Sequence, residues 1–309
     1  MKLYDVLLTK KKDELQELAK NIGLPKISKL KKFELAQEVS TILLNKDLLE
    51  THLYLLSEKQ YQLLRQILKT TTRINKENYK IFLHLNFEGF VYEENGFLLI
   101  PEDIKELLLS IFTSNYNQKY TIMHWIAECV IFAYDFYGIF SLFELKNLLK
   151  LNKKIKFNYN DVTLIQQYLT DLQIVINQTT YYISDAAYDF GIEELLREQE
   201  GKKIFIPTIE QISFYYENRF LLNQQYNVLI KELKKRFAND LIVESLIYSF
   251  FRSALYGEGA TETIDTLSHV ISFSDEQDAM LMISLFVQAY NNTNMMTNRG
   301  NTPLQTMKG

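Results

Sequence analysis

The sequence predicts a mainly α-helical protein with a minor β component, and three observations carry that expectation. Only 10 Gly and 4 Pro interrupt 309 residues, well below ordinary usage. Apolar residues supply 47% of the chain, enough for packed cores, and their commonest spacing is helical. The chain is also rich in Leu, Ile, Lys and Glu, a composition that favours helix. The length suggests more than one domain.

The first element is a helix through Lys10–Gly23, with Thr9 as the expected N-cap. Leu15, Leu18, Ala19 and Ile22 share one face, and Gly23 suits the left-handed residue after a helix. Leu24-Pro25 forces an extended exit. Ser28 is the expected cap of a second helix, with Leu30, Phe33, Leu35, Ala36 and Val39 as candidate core positions. Two short helices bury little apolar area alone, so this module is expected to dock on the segment C-terminal to it.

Leu15-x-x-Leu18-Ala19-Lys20-x-x-Gly23-Leu24 followed by Ser28-Lys29-Leu30-Lys31-Lys32-x-Glu34-Leu35 resembles the helix–extended-loop–helix family of SAP and LEM domains and the N-terminal domain of terminator Rho. The resemblance spans roughly residues 6–44. It implies that fold, and for ligands DNA, proximity to RNA-binding domains, or a protein, depending on the branch. Lys29, Lys31 and Lys32 at the start of the second helix would meet phosphate beside free backbone amides, and Lys10, Lys11 and Lys12 would add a second contact. A solvated lysine face on a docking module is the alternative.

Residues 57–112 read as one compact unit. Ser57 caps a helix to Lys69, with Tyr61, Leu64 and Leu68 inward, and Asn75 opens a helix to about Asn86. Phe90-Val91-Tyr92 and Phe97–Ile100 flank Glu93-Glu94-Asn95-Gly96 as a β-hairpin, Pro101 ends it, and a helix follows from Glu102. Residues 122–190 repeat the plan. A long apolar helix ends near Gly138, Ser141-Leu142-Phe143-Glu144 is a capping box, Asn160 or Asp161 opens another helix, and Ile174–Ile176 and Tyr181–Ile183 flank a four-residue turn. Helix, helix, hairpin is the winged-helix order, so two winged-helix-like units are expected.

The first hairpin carries Glu93 and Glu94, which would repel phosphate, and its preceding helix offers Lys76 and Lys80 beside Glu77, with no Arg to fork onto guanine. The second unit holds Lys150, Lys153, Lys154 and Lys156 in a loop interleaved with Phe157 and Tyr159, a pattern able to grip a nucleic-acid backbone with some stacking, or simply to be solvated. Beyond it, Gly201 ends a helix, Lys203–Pro207 is a strand-like link, and Thr208-x-x-Gln211 and Ser274–Gln277 cap further helices. Lys231, Lys234, Lys235 and Arg236 sit near a helix C-terminus and complement its dipole.

The stretch Asn291–Leu304, with Arg197–Gly201 and Ile206-Pro207, resembles a group of proteins of low-GC Gram-positive bacteria, some with a Rho-type N-terminal domain and some with a SecA-type zinc tail. The zinc-binding cysteines of that tail are not present here, and the resemblance implies no activity. The expected organisation is thus 1–49 for the helix–loop–helix module, 50–118 and 119–200 for the two winged-helix-like units, and 201–309 for a helical region.

Charge narrows the function. The net charge is −4, but residues 1–49 hold ten Lys against seven Asp and Glu, a local +3 that leaves −7 for the rest. One cysteine, Cys129, excludes an internal disulfide and sits in an apolar stretch as a buried thiol. No stretch reads as a signal peptide or membrane span, so a cytoplasmic protein is expected. His52, His84, His124 and His269 lack ligand spacing, and phosphate-loop or nucleophile-elbow motifs are missing. The expectation is therefore a non-enzymatic, cofactor-free nucleic-acid-associated regulator or adaptor that contacts DNA or RNA through Lys10, Lys11, Lys12, Lys29, Lys31, Lys32, Lys153, Lys154 and Lys156. The alternative is a protein-interaction scaffold without nucleic-acid contact. A phage-defence or mobile-element setting is compatible with either, and no residue argues for it.

Overall fold

The computed structural model describes residues 1–309 apart from 25–26, 114, 170–171, 221–222, 262–269 and 308–309. His269, and Pro25 of the extended link, therefore lie outside the described residues. The chain is 65% helical, with 17 helices and two three-stranded antiparallel sheets among the described residues. The protein is mainly α with minor β, and it divides into two compact units, Met1–His124 and Trp125–Gly309.

Unit 1 opens with a helix that the sequence pattern did not reveal, α1 (Leu3–Thr9), followed by α2 (Lys12–Asn21) and α3 (Lys32–Leu43). Thr9 is not the cap of α2. It ends α1, where its hydroxyl donates to the Val6 carbonyl, and the chain re-enters helix at Lys11. Nor does Ser28 cap α3: Ile27–Lys29 form a 3-10 turn and Lys31 is the cap position. All three helices start the same way, with a carboxylate one turn in accepting the amide of the lysine before the helix: Asp5 for Lys2, Glu14 for Lys11 (2.8 Å) and Glu34 for Lys31 (2.7 Å). Leu35, Ala36 and Val39 are buried as expected, but Phe33 is 52% exposed.

The module is docked on the remainder of unit 1. Leu3 and Leu7 press on Gly89, whose φ of +83° and contact with Leu3 leave no room for a side chain. The Leu3 amide donates to Asp103 at 2.9 Å, at the start of α7 (Glu102–Ile111). Between these lie α4 (Lys46–Tyr54), α5 (Glu58–Lys69), the short strand β1 (Thr72–Arg73), α6 (Tyr79–Phe87) and the hairpin β2 (Tyr92–Glu94) and β3 (Phe97–Leu99). Asn75 does not open α6 directly. It closes a turn by accepting the Glu77 and Asn78 amides, and the helix starts at Tyr79. Asn95 and Gly96 both have positive φ, the two-residue turn that strand twist prefers. β1 pairs with β3, giving the order β1-β3-β2.

The long helix α8 (Tyr116–Tyr137) begins in unit 1 and ends in unit 2. In unit 1 its His124 ring lies 3.1 Å from the Tyr54 carbonyl and stacks on Tyr120, and burial lowers its proton affinity; it is a satisfied core histidine. In unit 2 the order after α8 is β4 (Ile139–Ser141), α9 (Leu142–Leu149), α10 (Tyr159–Leu169), β5 (Gln173–Ile176) and β6 (Thr179–Ile183), with β4 pairing β6. The second hairpin turns on two residues, Asn177 and Gln178, both at positive φ, rather than the four expected. Ser141 and Glu144 form the expected capping box at α9. Thr208 and Gln211 do the same for α13 (Ile209–Asn218), after α11 (Asp185–Phe190) and α12 (Ile192–Gln199). The bundle closes with α14 (Gln224–Arg236), α15 (Asp240–Leu255), α16 (Glu276–Asn291) and α17 (Pro303–Thr306). Asp275, not Ser274, caps α16.

Two polar systems hold unit 2. Asp135, a charge inside the apolar stretch of α8, accepts from Tyr215 (2.7 Å) and Tyr256 (3.1 Å), with Arg252 3.8 Å away, joining α8 and α13 to Arg252 of α15 and Tyr256 just beyond it. The loop 292–302 forms the second. Gln199 donates to both the Tyr137 and Met296 carbonyls at 2.7 Å, Lys202 donates to the Thr297 carbonyl and Asn298, and Arg299 pairs with Glu144. The expected strand at Lys203–Pro207 does not form. The link is instead pinned to this loop by the Phe205 amide on the Arg299 carbonyl and by Asn301 on the Lys203 carbonyl. Met296 packs into the cluster of Ile139, Ile183, Ala187 and Leu195. A β-carbon at Gly138 would sit 2.5 Å from the Met296 sulfur, and Gly138 has φ of +67°. Gly138→Ala is therefore expected to cost about 2–4 kcal/mol, from positive-φ strain and overpacking, measured by urea unfolding against wild type.

Candidate nucleic-acid interface

The lysines singled out by the sequence meet three different fates. Lys10 is 7% exposed, and its ammonium donates to the Asn86 carbonyl at 2.5 Å, at the C-terminal end of α6. Burial lowers its proton affinity, partly countered by Glu14. It is a docking residue of unit 1 and is withdrawn from the phosphate-contact set, because its ammonium is turned inward and shielded from water. The sequence could not separate it from Lys11 and Lys12. What decides is that the chain kinks between α1 and α2 and turns this one side chain inward.

Lys11, Lys12, Lys29 and Lys31 are exposed, and Lys32 is half-buried. They flank the first turns of α2 and α3, where each helix start already carries a carboxylate. Glu14 and Glu34 already occupy the Lys11 and Lys31 amides, and each puts a negative charge where a phosphate would lie. The lysine side chains remain available as flexible point charges, with a carboxylate close by at each helix start.

In unit 2 the loop 150–158 between α9 and α10 is different. Lys150, Lys153, Lys154 and Lys156 are all exposed, and among the described residues none forms an ion pair. The loop is shaped by its own asparagines: Asn152 accepts the Lys154 amide at 3.3 Å, and Asn158 accepts the Asp161 amide at 2.9 Å at the start of α10. Beside the loop, Phe143 is 71% exposed and Tyr159 50% exposed, while Phe157 is half-buried. The Lys146 ammonium lies 4.6 Å from the Tyr159 ring centre. Residues 142–159 contain one acid, Glu144, and Arg299 neutralises it from within. Lys146, Lys150, Lys153, Lys154 and Lys156 thus face no unneutralised anion within this stretch. Lys146 and Phe143 were not picked out from the sequence, since their side-chain directions depend on how α9 is rotated.

Elsewhere several charges are matched internally. In the first hairpin Glu93 folds back to accept the Gly96 amide at 2.5 Å. On α14, Lys235 and Arg236 pair with Glu232, Lys234 with Asp240, and Arg236 also with Asp278. Cys129 is buried, and burial pushes its thiol well above the ordinary range.

Comparison with protein-family models, with curated proteins and with solved structures finds no match to this chain. Among the described residues no helix is long and apolar enough to cross a membrane.

The different fates of neighbouring lysines can be tested. Lys10→Glu is expected to destabilise the protein by about 3 kcal/mol or more, since it buries a carboxylate against a carbonyl. Lys11→Glu should stay within about 0.5 kcal/mol of wild type. Thermal unfolding followed by circular dichroism separates the two; equal effects would contradict the docking role of Lys10.

Proposed function

We propose that this protein is a non-enzymatic nucleic-acid-associated binding protein that grips a DNA or RNA backbone through the loop between α9 and α10. The observation that carries the reading is the coincidence of unpaired lysines with exposed aromatic rings along 143–159, the combination that lets a protein track phosphates and stack bases. The order α8, β4, α9, α10, β5, β6, with β4 outside β6, supports a winged-helix-like reading of this part of unit 2. On that reading α10 is the helix that would face a groove. Its exposed residues Asn160, Thr163, Leu164 and Gln167 carry no cation, which favours backbone contact over base readout. Lys11, Lys12, Lys29, Lys31 and Lys32 of the SAP- or Rho-N-like module are auxiliary contacts in this scheme. A regulator or adaptor working in the cytoplasm fits such a modest, sequence-independent grip.

The second reading, a protein-interaction scaffold, is favoured by exposed Leu241 and Tyr248 on α15 and Met280, Leu281 and Ile283 on α16.

Fluorescence anisotropy with labelled single- and double-stranded DNA and RNA separates them. Nucleic-acid binding should weaken on the order of 100-fold over a fourfold rise in salt if about four phosphates are neutralised. Changing Lys153, Lys154 and Lys156 together to Glu should abolish it, while the same change at Lys29, Lys31 and Lys32 should weaken it less. An absence of binding even at low salt would sink the proposal and leave the scaffold reading.

A further inference from the structure

Charge in this part of unit 2 is divided along the chain. Residues 142–156 hold five lysines against one acid, Glu144, and Arg299 pairs with that acid. From Phe157 to Leu196 the sequence has no Lys or Arg, but six Asp and Glu. The second stretch contains α10 and the β5–β6 hairpin. On a winged-helix-like reading α10 enters the groove of a duplex and the hairpin lies beside it. The tip of that hairpin, Asn177 to Thr180, is exposed and uncharged. Affinity for a duplex comes largely from cations placed on the phosphates that border the groove, and these two elements supply none.

The cations stand instead beside rings. Phe143, Lys146 and Lys150 recur at i, i+3 and i+7 along α9 and its C-terminal cap, a spacing that places them on one side. Phe143 is 71% exposed. After the loop the chain returns to α9 and sets Tyr159, the first residue of α10, with its ring centre 4.6 Å from the Lys146 ammonium. Tyr159 is still half exposed, and among the described residues neither it nor Phe143 packs against another aromatic ring. Open rings stack on bases only where the base faces are open too. Inside a duplex each base is covered by its neighbours, whereas the bases of a single strand can splay out onto aromatic side chains while lysines follow the backbone.

Resting on the nucleic-acid reading above, we infer that the ligand of this surface is an unpaired strand rather than a duplex, with Phe143 and Tyr159 as its stacking residues and Lys146 and Lys150 on the phosphates between them. Anisotropy titrations of the full chain test it, using labelled oligo-dT, oligo-U and a mixed-sequence duplex of equal length. Either single strand should bind about tenfold or more tightly than the duplex. Binding of either one supports the inference, and the tighter of the two assigns the strand to DNA or to RNA. Phe143→Ala and Tyr159→Ala should each weaken single-strand binding about tenfold and leave duplex binding as it is. Phe143→Ala should also keep the salt dependence of wild type, since it removes no phosphate contact, and Phe143→Tyr, which keeps a ring, should bind as wild type does. Thermal unfolding of Phe143→Ala should match wild type, because the residue is exposed. Duplex binding as tight as single-strand binding, or single-strand binding unchanged in both alanine variants, would overturn this inference and leave the nucleic-acid reading standing. Failure of all three probes at low salt would overturn both.

Discussion

The amide of Gln199 is the contact on which unit 2 depends. With one nitrogen it joins the Tyr137 carbonyl at the end of α8 to the Met296 carbonyl in the loop 292–302. Both bonds are buried, and an unpaired carbonyl there would cost roughly 1–3 kcal/mol each. Around this bond the loop is fastened by further polar contacts. Lys202 holds Thr297 and Asn298, and Arg299 reaches Glu144. Met296 then fills the space above Ile139, Ile183 and Leu195, which is why Gly138 must lack a side chain. An irregular segment can occupy a protein interior only when its backbone groups are satisfied this thoroughly. The Arg299–Glu144 pair also links this scaffold to the basic loop, because it removes the one negative charge from the surface of α9.

Much of this architecture was legible in the sequence, and what was missed has physical reasons. Local signals held where a few adjacent residues decide the outcome: the Ser141–Glu144 and Thr208–Gln211 boxes, the Asn95-Gly96 turn, and the buried face of α2. Signals that depend on partners far along the chain failed. β1 and β4 are two and three residues long and exist only because β3 and β6 pair with them. Asn177 and Gln178 accept positive φ without glycine because the hairpin register demands it, so no turn signature marked them. Thr9 and Ser28 have cap chemistry, but Glu14 and Glu34 supply the competing caps. The lysine surface was legible only as composition. Which lysines face water depends on packing, and Lys10 and Lys153 look alike in a sequence but stand in opposite environments.

The sorting of lysines also shows how the two units use the same residue type. In unit 1 lysine amides and a lysine ammonium are absorbed into helix starts and docking contacts, each matched to a carboxylate or a carbonyl. In unit 2 the loop 150–158 keeps its lysines unmatched and sets aromatic rings beside them. Unmatched surface charge contributes little to stability and often lowers it through mutual repulsion.

The fastening of loop 292–302 has a consequence for how the chain is made. Its bonds join residues 97 and 155 positions apart, so they form late. On the ribosome, unit 1 has all of its parts once residue 124 has emerged and can fold while synthesis continues. Unit 2 waits for residue 301, with Ile139, Ile183 and Leu195 uncovered in the meantime. A chain cut short just before this loop would carry a finished first half and a second half with its apolar cluster open, a form that chaperones and proteases recognise.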